Sequence, residues 1–326
     1  MSIITGDSAS CTDSLYGVPR DSTVITRDAT ALSVREFGRE DARVTLVLLH
    51  GFCLDKSAWE VQVRQLLSVY GTDIRIILYD HRGHGDSESS PARTYSIDTL
   101  AEDLSDVITT LRVSGTLILA GHSMGGMTAM TYAALPEEEQ AVSPDSLVLV
   151  ATASGRIHER GLGLLLSGVP SSFLTAVAEH FPESVLTPAV KALTVPLARV
   201  LIRYFGYGYD ADDALEVLSA GSIARTAMST KAGFLRAFKR FDQQARLGSI
   251  RAMATVISGE KDWLTPPEHS HEMAAAIPAS VHLHCENAGH MLLHEAAELV
   301  TTVLCHAVDR AREKAQSTPS EPSQSC

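Results

Sequence analysis

Five short runs built almost wholly from Val, Ile and Leu recur along the chain: residues 44–49 (VTLVLL), 74–79 (IRIILY), 116–120 (TLILA), 146–150 (SLVLV) and 255–258 (TVIS). A strand with one wetted face alternates apolar and polar side chains. A strand covered on both faces need not, and its sequence becomes continuously aliphatic. These runs therefore predict parallel strands packed between helices. Residues 23–26 and 32–37 read as edge strands ahead of them, and 281–285 as a last short strand. One connecting helix is plain from its period, since Ile97, Leu100, Ala101, Leu104, Val107, Ile108 and Leu111 share a face. Ser96 is placed to cap its start, Asp98 suits the dipole of its first turn, and Gly115 follows its end. Strand–helix–strand units of this kind close by right-handed crossovers into a doubly wound parallel α/β sheet.

The 326 residues exceed an average domain but suit one large α/β domain carrying an insertion. Residues 1–21 are polar and aperiodic, a loose N-terminal arm. The stretch 313–326 (EKAQSTPSEPSQSC) is too rich in Ser, Pro and Glu to bury a core and reads as a disordered tail. Between residues 154 and 250 the strand signal vanishes and Leu-rich helical stretches replace it, at 171–181, 190–205 and 224–241. A segment this long is no plain loop. It is expected to be a helical cap inserted into a sheet domain formed by residues 22–153 and 251–312, and its apolar content suits a lid over an apolar cleft, although a helix bundle needs such residues merely to pack.

Charge and cysteine usage narrow the function. Lys and Arg number 27 against 39 Asp and Glu, a formal net charge of −12, and no basic run offsets it. Nucleic-acid binding is not expected. No stretch approaches the ~18 apolar residues of a membrane span, so no integral membrane association is expected. The N-terminus has neither the basic nor the apolar region of a secretory signal. Cys11, Cys53, Cys285, Cys305 and Cys326 are scattered and odd in number, which fits a reduced, cytoplasmic protein better than a disulfide framework.

The chemistry centres on Gly121-His122-Ser123-Met124-Gly125-Gly126, which follows the run TLILA and opens the helix-like MTAMTYAAL. G-x-S-x-G alone arises by chance. On a tight strand-to-helix turn, however, it lifts the serine hydroxyl above the sheet, and Gly121 and Gly125 permit the backbone crowding. His50-Gly51-Phe52-Cys53 follows the run VTLVLL, so it lies on the same rim. Gly51 lets the chain turn so that the Phe52 and Met124 N–H groups can face a developing oxyanion. A serine nucleophile needs a base, and the base an orienting acid. Asp262, after the run TVIS, and His290, after VHLHC, come in that chain order and on that rim. Glu260 is a rival acid, though only one residue past Gly259. His282 with His284, or His290 with His294, are spaced for a metal, but no further ligands complete a set, so neither metal nor cofactor is expected. His81 and His84, in the turn YDHRGHGDS, read as structural, with Asp80 and Arg82 holding neighbouring loops. Cys53 reads as a small buried hydrophobe rather than a reactive thiol.

HGFCLDKSAW, YDHRGHGDS, GHSMGG, SGEKDWLTPP and NAGHMLLHE, in this order, resemble the α/β-hydrolase superfamily over about residues 22–310. The resemblance implies an eight-stranded, mostly parallel sheet with a cap after the sixth strand. It also implies Ser123 as nucleophile, His290 as base, Asp262 as acid, and Phe52 and Met124 N–H as the oxyanion hole. Haloalkane dehalogenases and epoxide hydrolases of this superfamily carry an aspartate at the elbow, whereas Ser123 stands here. The HGGG oxyanion loop of hormone-sensitive-lipase-like esterases is absent. GHSMGG with RGHGDS is similar to monoacylglycerol lipase-like and small-ester hydrolases, and the expected reaction is hydrolysis of a small hydrophobic ester. Meta-cleavage C–C hydrolases and cofactor-free perhydrolases have comparable frames. For the former, Arg156, Arg160 and Arg203 are candidates to hold a substrate carboxylate. A ligand receptor built on the same frame would need no base. Oligomeric state is left open.

Overall fold

The computed structural model describes residues 18–161 and 221–317. Eight strands form one sheet: β1 (Arg20–Ile25), β2 (Ala31–Phe37), β3 (Val44–Leu49), β4 (Arg75–Tyr79), β5 (Thr116–His122), β6 (Pro144–Val150), β7 (Met253–Gly259) and β8 (Ser280–Cys285). They lie in the order β1-β2-β4-β3-β5-β6-β7-β8. β1 and β2 pair antiparallel, as do β2 and β4, and every later pairing is parallel.

Every residue of β3 and β4 is buried, as a strand covered on both faces requires. Alternate residues enter opposite cores. Leu46 and Leu48 pack with Trp59, Leu66 and Leu304 on one side, whereas Val47 and Leu49 pack with Leu104, Val107 and Met130 on the other. The first core lies under α1 (Glu60–Tyr70), the second under α2 (Ile97–Thr110), α3 (Met124–Ala133) and, through Met273, α5 (Pro267–Ala276). Within the insertion lies α4 (Met228–Arg240), and after His290 come α6 (Leu292–Glu295) and α7 (Ala297–Ser317). α7 joins α1 on the first face through Val300 and Leu304.

Several expectations need correcting. β2 is paired on both sides, so only β1 is an edge at that end, and β1 begins at Arg20, inside the expected arm. α2 is capped by Ser96, whose hydroxyl accepts the Thr99 N–H at 3.0 Å. It does not stop at Gly115. Arg112 takes the left-handed conformation, φ +52°, and the N–H groups of Arg112 and Val113 close back onto Thr109 and Ile108. α7 runs to Ser317, past the expected tail boundary at 313, because Ala311 is buried and the Lys314 ammonium pairs with Asp145. The helical stretch expected at 224–241 is broken, with residues 221–225 helical and α4 starting only at Met228.

The two ends of the insertion meet. Gly155 bridges Asp242, and the Gln243 N–H donates to the Ser154 carbonyl at 2.7 Å. Asp55 ties the insertion to the core, accepting from Ser222 Oγ (2.8 Å) and Arg225 (2.7 Å). The stretches expected at 171–181 and 190–205, with Arg203, lie outside the described residues.

Candidate active site

Ser123 joins β5 to α3 at φ +52° and ψ −116°, a conformation that costs a non-glycine residue on the order of 1–3 kcal/mol. Its neighbours hold it there. The Ser123 N–H donates to the Val150 carbonyl (2.9 Å), and Thr152 Oγ1 donates to the Ser123 carbonyl (2.7 Å). The turn is tight enough that a Cβ on Gly121 would lie 2.3 Å from the Gly125 backbone, and one on Gly125 2.2 Å from the Leu49 carbonyl oxygen. Neither position tolerates a side chain.

The loop after β3 folds against this elbow. A Cβ on Gly51 would come within 3.3 Å of Ser123 Cβ. Cys53 adopts φ +59°, and the Leu54 N–H closes a turn onto the Gly51 carbonyl (3.1 Å). Among the described residues, neither the Phe52 nor the Met124 N–H has a hydrogen-bond partner. Met124 opens α3, where the first N–H groups of a helix lack intrahelical acceptors and carry its positive dipole end.

Asp262 and His290 come together across the ends of β7 and β8. Those ends are joined by the Glu260 N–H to the Cys285 carbonyl (2.9 Å) and the Lys261 N–H to the Ala288 carbonyl (3.0 Å). Asp262 Oδ1 accepts the N–H groups of Leu264 and Thr265, both at 2.8 Å. Oδ2 accepts Thr265 Oγ1 (2.7 Å) and His290 Nδ1 (2.9 Å). Burial pushes the Asp262 carboxyl up, but the His290 ring and the Thr265 donors outweigh it and hold the group below the usual carboxylate value. With Nδ1 committed to Asp262, Nε2 is the nitrogen His290 can offer to a serine. Among the described residues no hydrogen bond joins the Ser123 hydroxyl to that ring. Such contacts are commonly long before substrate binds.

The rival residues are engaged elsewhere. Glu260 pairs with His284 Nε2 (2.8 Å), and Ser258 Oγ lies between His282 Nε2 (2.8 Å) and His284 Nδ1 (3.0 Å). Among the described residues no group of three or more His, Cys, Asp or Glu side chains is arranged around a metal position. Arg156 and Arg160 both bind Glu272, at 2.8 and 2.9 Å. Asp80 holds Lys56 Nζ (2.6 Å) and the Asp86 N–H (2.8 Å), and Arg82 joins Asp103 (2.7 Å) to Asp28 (2.7 Å). Burial pushes the Cys53 thiol up to about 12, which leaves it protonated and unreactive.

Both ring nitrogens of His50 are engaged by the main chain. Its Nε2 accepts the His81 N–H (2.9 Å), so the ring proton sits on Nδ1, which faces the Gly51 carbonyl at 2.8 Å. An aromatic wall rises beside it. The Phe52 ring meets those of Phe238 (5.3 Å) and Phe234 (6.0 Å) from α4 edge-on, over buried Met124 and Met127. Sequence reasoning missed Thr265, whose N–H and hydroxyl both reach Asp262. Thr265 had a signal, since a Thr three residues after an Asp often closes a local side-chain turn.

The family described as alpha/beta hydrolase fold matches residues 44–297. The chain is 29% identical to the proline iminopeptidase PfmaB of Pestalotiopsis fici over 280 residues, covering 82% of this chain and 92% of the relative. It is 26% identical to 3-oxoadipate enol-lactonase 1 of Acinetobacter baylyi over 243 residues, covering 74% and 80%. Among solved structures, an esterase from Exiguobacterium antarcticum superposes with a TM-score of 0.71 at 22% identity, covering 89% of this chain and all of that one.

Proposed function

Because the chain belongs to the α/β-hydrolase fold superfamily, we propose that it is a serine hydrolase of hydrophobic carboxylic esters. The observation that carries this reading is the buried Asp262–His290 Nδ1 bond, made on the rim where Ser123 stands strained at its turn. In the proposed reaction Ser123 Oγ attacks the ester carbonyl while His290 Nε2 takes its proton. Asp262 fixes the tautomer of the ring and stabilises the imidazolium. The N–H groups of Phe52 and Met124 stabilise the tetrahedral oxyanion, and each such donor is typically worth ~10²–10³ in kcat. The alcohol leaves with the His290 proton, and a water activated by His290 clears the acyl-enzyme.

Residues 154–250 serve in this reading as a cap. The rings of Phe52, Phe234 and Phe238 favour an apolar acyl or alcohol group, and the net charge of −12 disfavours an anionic one. A cyclic ester meets the same machinery, and a relative bears the name enol-lactonase. The engagement of Arg156 and Arg160 by Glu272 weighs against a carboxylate-bearing C–C substrate. Free thiols at Cys53, Cys285 and Cys305 support a reducing, cytoplasmic setting.

The test is turnover of p-nitrophenyl esters of graded acyl length by wild type and Ser123→Ala. Wild type should turn over, with Ser123→Ala lower by ~10³-fold or more. An inert wild type across esters and lactones, alongside turnover of aminoacyl amides or peracid formation, would overturn the ester reading.

A further inference from the structure

His122, the residue before the elbow serine, touches the other two loops of the proposed site. Its ring is 1% exposed. A carbonyl only accepts, so the Nε2 that faces the His290 carbonyl at 2.9 Å carries the ring proton. The two rings stand 4.9 Å apart. On its other side Nδ1 faces the oxyanion loop closely enough that a Cβ on Gly51 would lie 2.7 Å from it. Burial holds His122 far below an ordinary histidine, at about 3, so the ring is neutral and the donor stays on Nε2 throughout the neutral range.

The peptide of His290 is held on its flanks as well. The Gly289 N–H donates to Glu295 Oε2 (3.0 Å) and the Met291 N–H to Glu295 Oε1 (3.2 Å). Glu295 thus fixes the N–H groups on either side of His290, and His122 fixes its carbonyl. Asp262 and Glu295 hold the ring and the flanking N–H groups, whereas the carbonyl bond from His122 ties His290 to the residue covalently joined to Ser123.

We propose that His122 is a positioning residue that sets the distance between His290 and Ser123 through its Nε2–H bond to the His290 carbonyl. This rests on the reading of Ser123 and His290 as nucleophile and base. A fluorescent fluorophosphonate reports that geometry as the rate constant for labelling Ser123. Displacement of a reacting group by about an ångström lowers rates ~10²-fold. His122→Leu fills the space without a donor and should label ~10- to 100-fold more slowly, with kcat falling in step and KM nearly unchanged. His122→Gln, whose amide nitrogen has similar reach, should recover most of the loss. If His122→Leu does not fold, His122→Asn, polar but too short to reach, carries the same expectation.

A second readout needs no chemistry at Ser123: the low-field proton resonance of the His290–Asp262 bond. It should persist in wild type and His122→Gln and be lost or exchange faster in His122→Leu. The positioning role is overturned if His122→Leu labels at the wild-type rate, if Gln and Leu lose activity equally, or if the resonance is the same in all three. Failure of the underlying catalytic reading shows differently, as a wild type that is not labelled at Ser123 at all.

Discussion

Two sets of histidines occupy the rim at the carboxyl ends of the strands, and they are built in opposite ways. His290 bonds through Nδ1 to a carboxylate that accepts further donors from Leu264 and Thr265. The rings of the set after β3 and β4, His50, His81 and His84, have centroids 4.6 and 5.3 Å apart, and among the described residues no carboxylate is in hydrogen-bond contact with them. Among the described residues neither nitrogen of His81 has a partner. Burial pushes His84 down to about 3, and pushes His50 and His81 below an ordinary histidine as well. A histidine that cannot hold a proton cannot act as a base near neutrality. In the proposed reading a place on this rim is therefore a poor guide to the base, and a buried carboxylate partner is a better one.

The comparison breaks most visibly in turnover. His290→Gln should lower kcat for p-nitrophenyl esters by ~10³-fold or more, whereas His81→Gln should stay within several-fold of wild type. Equal losses would erase the distinction. Asp262→Asn comes next, with kcat down ~10²–10⁴-fold because the wrong tautomer of His290 is then favoured, and with Ser123 still in place.

Stability against pH sharpens the contrast. His50, His81, His84 and His122 are neutral when folded and ordinary when unfolded. The unfolded chain therefore binds more protons below about pH 6.5, and stability falls as pH drops from there toward 3. Each such histidine contributes up to ~1.4 kcal/mol per pH unit within that window. Asp262 acts lower: its depressed carboxyl contributes stability above about pH 3.9 that is lost as pH falls through its folded value. Urea midpoints between pH 7 and 4 should show a steep acid limb, shallower in His84→Phe; a flat limb would contradict buried neutral rings. The smallest effect belongs to the aromatic wall. Phe238→Ala should raise KM for long-chain esters several-fold, corresponding to ~1 kcal/mol of lost contact, and leave acetate hydrolysis unchanged. A uniform loss across chain lengths would place Phe238 outside the acyl path.

Strand positions were legible because burial on both faces writes itself into consecutive residues; β3 matches its aliphatic run residue for residue. The end of α2 was not, since an arginine in the left-handed conformation carries no composition signal and Gly115 offered a false one. In the site, Asp262 and His290 were readable from their places just past strand ends. His122 was not, because it bonds to the main chain of a loop 168 residues away, through a register that only tertiary packing sets. The helical stretches expected at 171–181 and 190–205 lie outside the described residues.

The central claim, that Ser123 is a nucleophile activated by His290 and Asp262, is met most directly by mass spectrometry of the fluorophosphonate-treated protein. One adduct on the peptide bearing Ser123 is expected, absent in Ser123→Ala and formed far more slowly in His290→Gln and Asp262→Asn. An unmodified Ser123, or labelling at the same rate in all of the histidine and aspartate variants, would contradict it.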